Sequence, residues 1–129
     1  VYTLWSVGRL AEADATADRA LQQWPEHPAV WFARLWTFAF TGRADRAQRM
    51  LANATARPDM PAPVAGLLGL SLAALAEPNA PLKARAIAAN VAAATRGPGP
   101  AISAIMVLSA LGAGAQSLDV ARGFLLQQG

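Results

Sequence analysis

The chain has no cysteine among its 129 residues. That excludes a disulfide scaffold, a thiolate zinc site and a cysteine nucleophile. A single histidine, His27, excludes a multi-histidine metal cluster. Lysine occurs once, at Lys83, beside ten arginines, and the net charge of +3 is a modest field. Valine and isoleucine are sparse and never run together, which argues against strands. Charged residues are few at 15%, but 54% of the chain is apolar, so the composition is that of a packed domain rather than a disordered one. No secretory signal opens the sequence. The uncharged stretches 60–76 and 97–118 are interrupted by proline and glycine, and their apolar parts fall short of the ~20 residues a membrane span needs. They read as helices buried on most sides, in a chain expected to have no membrane partner and to be cytoplasmic.

Catalytic signatures are missing too. There is no G-x-S-x-G elbow, no P-loop and no G-x-G-x-x-G. Gly112-Ala113-Gly114 follows no strand, and the prolines of Gly97-Pro98-Gly99-Pro100 lack the N–H donors of a phosphate nest. Both read as turns. Glu12, Asp14 and Asp18 have no partners at a metal site's spacing, and His27 reads as a solvated turn residue. The expectation is no catalytic residue, no cofactor and no metal.

What the chain does have is alanine, at 32 positions, with leucine the other common apolar residue. Alanine is the best helix former, so the pattern predicts helix almost throughout. Beneath it lies a repeat. Gly8-Arg9-Leu10-Ala11-Glu12-Ala13 returns as Gly42-Arg43-Ala44-Asp45-Arg46-Ala47, an offset of 34, and Ala17 with Leu51 and Ala20 with Ala54 keep the register. Pro25 and Pro58 close the two segments. The order is helix, glycine turn, helix, proline turn. Gly8 and Gly42 are expected to end helices in the left-handed conformation. Pro28, Pro61 and Pro100 suit helix starts, and Asn79 and Ser117 suit caps.

On these residues the chain resembles the tetratricopeptide repeat (TPR) family, whose 34-residue unit places two aromatics in its first helix, glycine at the turn and two alanines in its second helix. Trp31, Phe38, Gly42, Ala47 and Ala54 occupy those places. Arg34-Leu35 departs from the family's Leu-Gly pair, which Leu68-Gly69 retains further on. Later helices are expected at 61–76, 82–96, 100–113 and 117–127, with Glu77-Pro78-Asn79-Ala80-Pro81 as a five-residue insertion and Ala121 in the alanine position of the last one. The resemblance implies an all-α, TPR-like superhelical stack of seven or eight antiparallel helices, in units of about 1–27, 28–61, 62–99 and 100–129. It is also similar to C-terminal TPR regions of alphaproteobacterial proteins, some of which carry an N-terminal winged-helix DNA-binding domain. Together with the opening at Val1, without methionine, this leads to the expectation of a piece of a longer bacterial regulator.

The helix expected at 29–41 carries aromatics on two faces. Trp31, Leu35 and Phe38 recur at i, i+4 and i+7 and are expected to pack into the stack. Phe32, Trp36 and Phe40 recur on the adjoining face, with Arg43 at the following turn. The family resemblance places that second face in a concave groove for a peptide or partner helix, with Tyr2 and Trp5 beside it. The other reading makes the same aromatics core, covered by the N-terminal helix that holds Tyr2 and Trp5. Arg43, Arg46, Arg49 and Asn53 form an outer face with Asp45 among them, and without interleaved aromatics they read as solvated rather than as a nucleic-acid surface. Arg9, Glu12, Asp14, Asp18 and Arg19 read as local surface pairs. The expected function is non-catalytic binding of a protein or peptide partner. Self-association as a homo-oligomer is the alternative, favoured by Leu118, Phe124 and Leu125 near the chain's end.

Overall fold

The computed structural model describes residues 8–77 and 79–128, with side chains described through residue 126. Among the described residues the chain is all-helical and has no strand. Seven α-helices follow one another among the described residues: α1 Leu10–Gln23, α2 Pro28–Phe40, α3 Ala44–Ala52, α4 Ala62–Ala76, α5 Ala80–Ala93, α6 Pro98–Ala110 and α7 Gly114–Gln128, with a 3-10 turn at Ala94–Arg96. Residues 1–65 and 66–129 form two compact units.

In the first unit α2 packs against α1 on one side and α3 on the other. Trp31, Leu35 and Phe38 are buried, as their spacing predicts. Ala13, Ala17 and Ala47 are buried as well, and their lack of bulk lets the helices close on one another. In the second unit α6 packs on α5 and α7, with Ala104, Leu108 and Ala113 forming a cluster covered by Ile87, Ala94 and Val120.

The turns explain the helix ends. Gly42 and Gly112 stand at φ +77° and +78°, a region that alanine reaches only at a cost of about 1–2 kcal/mol. Past each, the chain closes the same loop: the N–H of Arg43 donates to the Phe38 carbonyl at 3.0 Å, and that of Ala113 to the Leu108 carbonyl at 2.8 Å. This six-to-one bond defines a Schellman cap. Gly8 has φ +81° and so shares the expected conformation. Pro28 opens α2 as expected, but α6 opens at Pro98, two residues before the expected start, so that Pro100 falls within its first turn, where a missing N–H costs nothing.

The two units repeat one another. α1, α2 and α3 begin at Leu10, Pro28 and Ala44, and α5, α6 and α7 at Ala80, Pro98 and Gly114, 70 residues further on in each case. α1 and α5 both run 14 residues, and α2 and α6 both run 13.

Three expectations need correction. Glu77 to Pro81 is not a five-residue insertion, because α5 begins at Ala80 and Asn79 caps it by accepting the Leu82 N–H at 2.9 Å. Ser117 is not a cap. It lies inside α7, buried, and its Oγ donates to the Ile105 carbonyl at 3.1 Å and meets the Ser109 Oγ at 2.9 Å, tying α7 to α6. Counted from the glycine turn, Ser117 and not Ala121 is the partner of Ala47, and the chain's helix starts show that register where the alanine pattern hid it.

Candidate functional site

Asp14 of α1 gathers two arginines of unit 1, Arg34 and Arg43. Arg43 donates to both of its carboxylate oxygens, Nη1 to Oδ2 at 2.9 Å and Nη2 to Oδ1 at 3.0 Å. Arg34 Nη1 donates to Oδ1 at 2.7 Å, and its Nη2 reaches Asp18 Oδ1 at 3.0 Å. The Arg34 guanidinium lies 3.8 Å above the centre of the Phe38 ring, and that of Arg43 lies 5.0 Å from it. Arg34 is only 6% exposed. A buried guanidinium needs charged partners and a π-face, and it finds both here. The Arg43 hydrogen bonds lower the Asp14 carboxyl below its usual value, partial burial opposes them, and Arg34 adds to the lowering. The sequence reading placed Asp14 and Asp18 in local surface pairs, and the structure corrects this. Of the five residues so read, Arg9 and Glu12 do pair locally, while the partners of Asp14 lie 20 and 29 residues along the chain. In unit 2 the positions 70 residues on from Asp14, Arg34 and Arg43 are Ala84, Ala104 and Ala113, so the same junction is apolar there.

Arg43 is therefore committed to this cluster, with Nε also donating to Thr41 Oγ1 at 3.0 Å. Trp36, of the same expected set, is buried at 5% exposure and stacks on Phe40 with ring centres 5.1 Å apart. Phe40 and Phe32 are half-buried, and Phe32 meets Trp31 edge-on at 5.0 Å. Tyr2 and Trp5 lie outside the described residues. His27 has a role the sequence did not disclose: its Nδ1 accepts the Ala29 N–H at 3.2 Å and caps α2.

An opening in unit 1 lies elsewhere, between α1, α2 and α3. It is a cavity of about 480 Å³, within the range of small-ligand and side-chain pockets. Leu21, Pro25, Trp31 and Met50 give it an apolar wall, and Arg46, Arg49 and Asn53 stand at its edge. Arg46 and Arg49 are exposed. Arg46 has no carboxylate within salt-bridge distance among the described residues, and Arg49 has only the exposed Asp45, at 3.5 Å. Their spacing puts Arg46, Arg49 and Asn53 on one face, which the sequence alone presents as solvated. The pocket beside them has no sequence signal, because Leu21, Trp31 and Met50 come from three helices and only packing brings them together.

Unit 2 has the same opening. A cavity of about 250 Å³ is lined from α7 by Gln116, Asp119, Val120 and Gly123, which stand 70 residues beyond Arg46, Arg49, Met50 and Asn53. Val91 and Thr95 stand in the same relation to Leu21 and Pro25. The pocket thus belongs to the repeat, and its charge does not.

Among the described residues no group of three His, Asp or Glu side chains is placed to hold a metal ion. Nor is any helix among them long and apolar enough to cross a membrane. What fold and site define is an all-α chain of packed helical hairpins with an apolar pocket repeated in each unit. No family model, no curated protein and no solved structure matches the chain.

Proposed function

We propose that the chain is a non-catalytic protein–protein interaction module of TPR-like, solenoid-forming type, the regulatory part of a larger cytoplasmic bacterial protein, which binds a peptide or partner helix. The observation that carries this reading is the pocket of unit 1, where an apolar wall lies open beside exposed guanidinium groups. Arginine next to buried aromatic surface is the composition of an interface hot spot. Phe32 and Phe40, half-buried on α2, do not line that pocket. Panning a random peptide library on phage against the folded chain tests the reading. The expected result is a consensus peptide whose binding is competed by the same peptide in solution. Recovery of unrelated sequences without competition contradicts it.

Self-association is a second reading, supported by α7. Leu118 and Leu125 recur at i and i+7 on that helix, and they are 52% and 67% exposed. Such a stripe suits a two-fold helix pair.

A further inference from the structure

The edge of the unit 1 pocket carries two exposed positive charges: Arg46, 5.8 Å from the centre of the Phe38 ring, and Arg49, beside the exposed Asp45. The pocket 70 residues on forms with Gln116 and Asp119 in the places of Arg46 and Arg49, so neither guanidinium is needed to hold α3-type and α1-type helices apart. Arg46 and Arg49 sit at i and i+3, which sets their stems about 5–6 Å apart on one helix face. Asn53, one turn further, uses its Oδ1 to accept from Thr55 Oγ1 at 2.9 Å. Behind these polar groups lie Leu21, Trp31 and Met50. Methionine and an indole give a wall that adapts to aliphatic or aromatic guests. Charge and shape together call for a ligand with carboxylates flanking one apolar anchor.

From this we infer that the pocket between α1, α2 and α3 docks an acidic protein segment, its aliphatic or aromatic side chain inserted against Trp31 and Met50 and its carboxylates paired with Arg46 and Arg49. The inference rests on the interaction-module reading and gives its partner a chemistry. It also makes the two units unlike in specificity, because Asp119 repels the acidic segment that Arg49 attracts.

The test uses the full chain and two synthetic peptides, acetylated and amidated: Glu-Glu-Leu-Glu-Glu and its uncharged counterpart Gln-Gln-Leu-Gln-Gln. NMR titration with the acidic peptide is expected to shift the Trp31 indole N–H, the Met50 methyl and the Asn53 amide, and to leave Val120 and Gly123 unmoved. Affinity is expected to fall with added salt, and to fall about tenfold in the Arg46→Gln, Arg49→Gln double variant. Both side chains are exposed, so an unchanged amide dispersion serves as the folding control. Equal binding of the two peptides, or shifts that fall on Phe32 and Phe40 instead, overturns the inference. A library consensus that lacks acidic residues and ignores the double variant also overturns it, yet leaves the interaction module standing. Failure of the module itself reads out separately, as the absence of any consensus.

Discussion

At the residue scale, unit 1 is held by a charge cluster that the sequence does not disclose. Asp14 binds two arginines whose positions along the chain bear no periodic relation to it, so no local pattern reveals the contact. Arg34 appeared only as a departure from the family's Leu-Gly pair, and the structure explains it as the group that fills the space above Phe38. Removing one member strands the others. Asp14→Asn keeps the shape but leaves the buried Arg34 with only the exposed Asp18 as countercharge, and leaves Arg43 beside it with no carboxylate partner among the described residues. Breaking a fully buried pair costs about 3–5 kcal/mol, and the 25% exposure of the Asp14 side chain reduces this to about 2 kcal/mol. Urea unfolding of the two proteins at neutral pH checks the figure. The acid limb of stability follows from the same contact. The folded carboxyl titrates below its unfolded value of about 3.9, so its contribution is complete above that pH and is lost as pH falls through the lowered value. Asp14→Asn should therefore flatten the fall in melting temperature below about pH 4.

At the scale of the element, the sequence was most legible where backbone chemistry decides. The glycine turns, the proline helix starts and the Asn79 cap follow from which residues tolerate a positive φ, need no N–H or accept one, and these are properties of single residues. Gly42→Ala finds open space around its new methyl, so its cost is conformational alone, about 1–2 kcal/mol. Gly66→Ala, inside α4 and equally unobstructed, should stabilise by up to about 1 kcal/mol, because there the backbone is already helical. Thermal unfolding of both variants should move in opposite directions. Ser117 was misread because serine suits a cap and a buried carbonyl partner equally well, and only the packing of α7 on α6 chooses between them.

At the scale of the whole molecule, the helical class was legible from alanine and from the 34-residue offset between Gly8 and Gly42. The longer repeat of 70 residues was not, because Asp14, Arg34 and Arg43 become alanines in the second unit while the three helix starts and the first two helix lengths stay the same. Divergence fell on the side chains and spared the turns. The aromatic set expected to line a groove is divided by the fold: Trp36 goes inside, Arg43 goes to Asp14, and Phe32 and Phe40 stay at the surface. Self-association through α7 predicts a sedimentation mass that rises with concentration and returns to that of a monomer in the Leu118→Ser, Leu125→Ser variant. A mass that is constant and monomeric in the native chain removes that reading.

In the proposed interaction, charge at one pocket of a repeated pair selects the partner. Fluorescence anisotropy with Glu-Glu-Leu-Glu-Glu and Lys-Lys-Leu-Lys-Lys, titrated with the native chain and with its Arg46→Glu, Arg49→Glu variant, tests it most directly. The account predicts that the native chain prefers the acidic peptide and that the variant reverses the order. The same order of affinities in both proteins contradicts it.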